Sequence, residues 1–132
     1  KQVPYEQAPA GLPLVQHALL TLFDHVHAGT MTVEQVVEKT AHNPSIRYAI
    51  QERGYIREGY FADLVLVDPQ ASTLVDQENN LYQCAWSPFT GHEFSSQIKH
   101  TWVNGTKVYS NTDSSLIQDT NHSPAMRLSF ER

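Results

Sequence analysis

Gly54-Tyr55-Ile56-Arg57-Glu58-Gly59-Tyr60-Phe61-Ala62-Asp63-Leu64-Val65-Leu66-Val67-Asp68-Pro69 is the stretch that divides this chain into two kinds of structure. Two glycines frame a short extended piece, and a strongly β-prone run follows. Ala62, Leu64 and Leu66 alternate with Asp63, Val65 and Val67, so one face of the run is wholly apolar and the other mostly so. That pattern predicts a strand buried on nearly both sides. Asp68-Pro69 ends it, because proline cannot donate to a sheet ladder. Helical patterns precede the stretch and strand patterns follow it.

Upstream, residues 1–11 contain two prolines and a glycine without periodicity and read as a loop. Leu12-Pro13 opens a predicted helix whose apolar stripe is Val15, Ala18, Leu19, Leu22, Phe23 and Val26, widened by Leu14 and Leu20. Gln16, His17, Thr21, Asp24, His25 and His27 take the other side. Gly29 is placed to end it in the left-handed conformation. Thr32-Val33-Glu34-Gln35 is a capping-box pattern opening a short helix to about Thr40. Asn43-Pro44 reads as a cap and a first-turn proline, starting a third helix through about Arg53.

Downstream, Ala71–Val75 is a short strand candidate, Asp76–Asn80 a polar loop, Tyr82–Trp86 an extended segment and Ser87–Gly91 a turn. Ile98–Val103, Asn104-Gly105 and Thr106–Tyr109 form the clearest hairpin, since Asn-Gly suits the two positive-φ positions of a type I′ turn. Residues 111–125 are polar and turn-rich and are expected to be mobile, with a last edge strand at residues 126–131. The fold class is therefore α+β: about three helices over residues 1–54, then a small β-domain over residues 55–132.

With 132 residues the chain can bury roughly two-thirds of its unfolded surface. A net charge of −5 argues against a nucleic-acid or anionic-membrane partner, which would want a basic patch. No apolar run is long enough for a spanning helix. Cys84, alone, allows no internal disulfide and fits a reducing, cytoplasmic compartment. Lys1 in place of an initiator methionine leads us to expect a piece of a longer protein.

Local chemistry is sparse. His25-Val26-His27 is a metal-binding pattern on a strand. Near a helix end, residues two apart point about 200° apart and do not share a metal. The remaining histidines lack partners at ligand spacing, so no metal ligand is assigned. Asp63 and Asp68 are assigned structural roles, Asp68 as a turn former before Pro69. Cys84 has no basic neighbour to make it a thiolate. No catalytic residue is assigned.

The dividing stretch resembles the G-x-I-x-x-G-x-x-A-D-L-V-L-V-D segment that closes cyclic amidohydrolases. Thr40-Ala41-His42-Asn43-Pro44-Ser45 resembles their T-x-N-P-A helix start. Ser87-Pro88-Phe89-Thr90-Gly91 and Thr101–Tyr109 resemble their S-P-F-x-G turn and T-x-V-x-G-x-x-V-Y hairpin. Within that family, Ala8-Pro9-Ala10-Gly11-Leu12 resembles the substrate loop of dihydroorotases. The resemblance implies the C-terminal remnant of a (β/α)₈ barrel followed by a small flanking β-domain. The parent would carry two zinc ions and interconvert N-carbamoyl-L-aspartate and dihydroorotate. Its His-x-His pair, carboxylated lysine, further histidines and catalytic aspartate would precede Lys1, within about 300 residues implied by a barrel of ~250 or more. Only Ala10 and Gly11 carry over, as substrate contacts made largely through backbone, where a side chain would obstruct close approach.

The family loop often continues P-x-G-x-x-G-x-E, whereas Leu14 and Gln16 replace the second glycine and the acid here. Hydantoinase, dihydropyrimidinase and allantoinase therefore stay open as alternatives, as does a non-catalytic dihydroorotase-like scaffold. The isolated chain is expected to be inactive and metal-free. It is also expected to self-associate as a homo-oligomer, covering the apolar stripe of residues 14–26.

Overall fold

A computed structural model describes residues 4–7, 11–111, 115–116 and 129. Its helical half begins later than Pro13: a tight turn at Val15–His17 leads into α1, Ala18–His27. Leu14, the residue before that turn, makes no side-chain cap, and a helix start without a cap tightens into 3₁₀ geometry. The inward face keeps Leu20 and Phe23 of the expected stripe but takes in His17 and leaves out Val15. His17, Leu20 and Phe23 are buried, while Val15 is 87% exposed. Apolar residues lie on two sides of this helix, so periodicity alone admits both. The deciding partners are Val75 and Phe94, which form the core with Leu20, and Phe89 and Ile98 pack against them.

The end of α1 is as expected. Gly29 has φ +70, its N–H donates to the Val26 carbonyl (3.0 Å), and Thr30 N–H donates to the His25 carbonyl (3.0 Å), which together make a Schellman motif.

Helix α2, Val33–Val37, has the expected capping box: Gln35 N–H donates to Thr32 Oγ1 (3.2 Å), and Thr32 N–H donates to Gln35 Oε1 (2.9 Å). Thr32→Ala removes one half of that reciprocal pair at an exposed site. It should lower unfolding stability by about 1 kcal/mol, read as a shifted urea midpoint at unchanged slope.

The second and third expected helices are one continuous rod. A wide π turn, Glu38–His42, joins α2 to α3, Asn43–Arg47. Asn43 is no cap: its φ/ψ of −61/−41 is helical, and its N–H donates to the Glu38 carbonyl. Pro44 explains the widened turn, because its ring needs room against the preceding turn and it has no N–H to give. Helix α3 stops at Arg47, short of Arg53, since Ala49 and Glu52 adopt φ +50 and +56, which a right-handed helix does not accommodate.

In the β half, β1 (Leu64–Asp68), β4 (Gln97–Val103), β5 (Thr106–Ser110) and β6 (Ser115–Leu116) form an antiparallel sheet in the order β1-β4-β5-β6. β2 (Thr73–Leu74) pairs with β3 (Glu93–Phe94) in a second small sheet, which α1 covers. The type I′ hairpin is present, with Asn104 at φ +51, Gly105 at φ +79 and Val103 opposite Thr106.

Strand β1 departs from expectation. It is an edge strand, paired only with β4 among the described residues, and Val65 and Leu66 are about half exposed. An apolar run lets a strand be buried on two faces but does not supply the layers that would bury it. Tyr82–Trp86 is not extended either. Ala85 N–H closes a turn onto the Tyr82 carbonyl (2.9 Å), with Ala85 at φ +55. The turn at Ser87 is as expected, with Thr90 N–H and Oγ1 both donating to the Ser87 carbonyl. Asp68 is the expected turn former, accepting from Gln70 N–H at 3.0 Å. Of the segment expected to be mobile, Asn111, Ser115 and Leu116 are described. The rest of it, and the strand expected at 126–131 apart from Ser129, lie outside the described residues.

Candidate functional site

Of the two expected substrate contacts, Ala10 lies outside the described residues. Gly11 is exposed at φ +89, and a Cβ built on it would meet nothing within 4 Å. Its backbone is therefore open to close approach by a ligand. Five residues on, Gln16 is held from three directions. Its N–H donates to Tyr82 Oη (2.8 Å), its Nε2 donates to the Asn79 carbonyl (2.7 Å), and its Oε1 accepts from Leu81 N–H (3.0 Å). A cleft of about 590 Å³ opens beside this contact, between Gln16, His17 and Leu20 on one wall and Ile98, Thr101 and Tyr109 on the other.

His17, placed on the solvent side by its sequence position, is 1% exposed. It stacks on Phe94 (5.7 Å, 15°), meets Phe89 and Tyr82 edge-on, and lies 3.5 Å from Tyr82 Oη through Nδ1. Burial pushes its pKa below 6.5. Asp24 is likewise drawn into the fold: Ser95 N–H donates to Oδ1 (2.9 Å) and His92 Nε2 lies 3.3 Å from Oδ2. Burial raises the Asp24 pKa, but the Ser95 N–H and then His92 outweigh it and leave the carboxyl below its usual value.

The sign follows for both groups. Each folded pKa lies below its unfolded value, so the unfolded chain binds protons first and stability falls on acidification. The His17 contribution is complete above about 6.5 and is lost as pH falls from there toward its folded pKa. The Asp24 contribution is lost below about 3.8. Thermal melts between pH 8 and 5 should show a declining midpoint that flattens in His17→Phe.

Among the described residues the histidines do not assemble. His25 Nδ1 pairs with Thr30 Oγ1 and His27 Nε2 with Ser96 Oγ, both at 3.1 Å, and His42 stacks on Tyr55 at 4.2 Å. Among the described residues no three His, Cys, Asp or Glu side chains gather where a metal ion could be held. These residues do not fit a zinc site.

The strongest polar cluster is structural. Arg53, only 7% exposed, donates to Asp63 Oδ2 through Nη1 and to Asn104 Oδ1 through Nη2 (2.8 Å), with its guanidinium 4.1 Å from the Phe61 ring centre. Asn104 N–H donates to Asp63 Oδ1 (2.8 Å), and Gly105 N–H to the Ala62 carbonyl (3.0 Å). This node joins the end of the helical half, the start of β1 and the tip of the β4–β5 hairpin. Asp63 thus has the structural role assigned to it. Arg53, Gln16 and Tyr82 carry no local motif that marks them, and the Asn104-Gly105 motif marks a turn rather than a partner for Arg53; the one further signal is that Gln16 breaks the loop pattern.

Comparison with known proteins places this geometry. Residues 12–108 match the amidohydrolase family. The chain is 37% identical over 102 residues to a dihydroorotase of Halobacterium salinarum, covering 77% of this chain and 24% of that protein. It is 32% identical over 104 residues to an allantoinase of Enterococcus faecalis, covering 78% and 23%. Its fold is similar to that of a D-hydantoinase, with TM-score 0.68 and 27% identity over 77% of this chain and 22% of that one. The chain spans about a quarter of the length of the curated relatives it matches. With the match running from the start of the helical half through the β4–β5 hairpin, this chain belongs to the amidohydrolase family.

Proposed function

We propose that this chain is the C-terminal part of a dihydroorotase, an enzyme interconverting N-carbamoyl-L-aspartate and dihydroorotate in pyrimidine biosynthesis. The observation that carries the reading is the 37% identity to the Halobacterium salinarum dihydroorotase, which agrees with the loop resemblance at Ala8–Leu12. In this reading residues 1–54 bring the substrate loop and outer helices to a (β/α)₈ barrel, and residues 55–132 form its flanking β-domain. Ala10 and Gly11 contact the small-molecule substrate through backbone. The open surroundings and positive φ of Gly11 support that role. The two zinc ions and the catalytic groups belong to the part preceding Lys1, and no step is routed through this chain. By itself the chain is inactive and metal-free. The parent is a cytoplasmic homo-oligomer, and the exposed Leu14 and Val15 give it apolar surface to cover.

A hydantoinase or allantoinase is the second reading, favoured by Leu14 and Gln16 in the loop and by the 32% identity to the Enterococcus faecalis allantoinase. The test is turnover by the full-length protein of N-carbamoyl-L-aspartate, dihydroorotate, a 5-substituted hydantoin and allantoin. Ring closure of N-carbamoyl-L-aspartate as the preferred reaction supports the first reading. Preference for a hydantoin or allantoin overturns it in favour of the second, and no turnover of any favours the non-catalytic scaffold. Stoichiometric zinc in the isolated 132-residue chain would overturn the metal-free assignment.

A further inference from the structure

We infer that Gln16 is a positioning residue for the substrate loop, clamping the tight turn that leads into α1, and with it the Gly11 end of the loop, onto residues 79–82. The inference rests on the reading of Ala8–Leu12 as a substrate loop. Gly11 has no side chain to anchor it and no neighbour within reach of a Cβ. The turn that follows begins at Leu14 without a capping side chain. Gln16 is the first residue after Gly11 whose side chain is tied to a distant part of the fold.

The far side of the clamp is itself built to stay put. Asp76 Oδ1 accepts from Glu78 N–H (2.9 Å) and Asn79 N–H (3.0 Å), Asn79 Oδ1 accepts from Asp76 N–H (3.2 Å), and Asn80 Oδ1 accepts from Tyr82 N–H (3.0 Å). This turn follows directly on Val75, a core residue that is 1% exposed. Position in the core is thus passed through residues 76–82 to Gln16, and through Gln16 to the end of the loop.

The two opposed backbone partners also specify the side chain. Asn79 offers a carbonyl oxygen and Leu81 an N–H, so the group between them must donate on one side and accept on the other. A glutamine amide does both; an ionised glutamate only accepts, and would set a carboxylate oxygen against the Asn79 carbonyl. The acid that the family loop often carries here is therefore incompatible with this clamp. The departure from the pattern and the fold of residues 79–82 belong together.

The test is Gln16→Glu in the full-length enzyme that carries this chain, assayed on whichever cyclic amide the unaltered enzyme prefers. The expected result is KM raised about tenfold with kcat within a factor of two, because the clamp aims the loop and the reacting groups lie elsewhere. Tyr82→Phe, which removes the acceptor for Gln16 N–H while keeping the ring, should move KM the same way by a smaller factor and serves if Gln16→Glu does not fold. Unchanged KM in a folded variant, or a fall in kcat at constant KM, overturns the inference, whatever happens to thermal stability. If the unaltered enzyme turns over no cyclic amide, the substrate-loop reading fails and the inference with it.

Discussion

Asp63→Ala is expected to destabilise the chain by about 3 kcal/mol, the low end of what breaking a buried ion pair costs. Arg53 is nearly inaccessible to water and Asp63 Oδ2 faces its guanidinium, so removing the carboxylate takes a charged partner away from a buried cation. Asp63 is itself about one-quarter exposed, at 23%, which lets water replace part of what is lost and keeps the figure from the upper end. A second loss adds to the first. Asp63 Oδ1 is the acceptor for Asn104 N–H, and Asn104 holds a positive φ at the hairpin tip. Asp63→Asn keeps the shape and one acceptor and should fall between wild type and alanine. Arg53→Met combined with Asp63→Ala should be less damaging than the sum of the two, since the double variant removes both members of the pair. Urea unfolding checks each variant. An Asp63→Ala midpoint equivalent to less than about 1 kcal/mol would mean that the node contributes little and that packing around β1 holds the two halves together.

What could be read from the residues alone follows the span of each interaction. The Asn104-Gly105 turn, the Thr32–Gln35 capping box and the Gly29 helix end are all completed within a few residues, so their chemistry is visible in a short string. The facing of α1 depends on Phe94 and Val75, more than fifty residues downstream, and apolar residues on two sides of the helix left the choice to them. The π turn depends on Pro44 lying inside a helix that a local reading would break at that proline. The candidate site divides in the same way. Gly11 was reached through the loop resemblance, and Gln16 only as a broken pattern, because Asn79, Leu81 and Tyr82 lie more than sixty residues away. Arg53 and Asn104 meet across a similar gap, and nothing beside either residue announces the other.

Gly54→Ala should cost about 3–4 kcal/mol, and Gly59→Ala about 1 kcal/mol, although the two glycines share nearly the same backbone conformation. Gly54 has φ +80 and Gly59 φ +84, so the penalty for placing a Cβ in the left-handed region is common to both. They differ in what that Cβ would meet. At Gly59 it finds nothing within 4 Å; at Gly54 it would lie 2.6 Å from Ser45 Oγ, 2.7 Å from Ser45 Cβ and 2.7 Å from the Ala41 carbonyl oxygen. The serine hydroxyl could turn aside, but the Ala41 carbonyl belongs to the backbone of the π turn and Ser45 Cβ is fixed by α3. Relief therefore requires moving the helical rod or displacing residue 54. Displacing residue 54 would pull its neighbour Arg53 away from Asp63 and Asn104. The difference between the two variants, about 2–3 kcal/mol in urea unfolding, isolates the steric term from the conformational one. Equal losses at both positions would show that the rod yields freely at Ala41 and Ser45. In that case close packing of the dividing stretch against the helical half would not be what holds Arg53 in register with the hairpin.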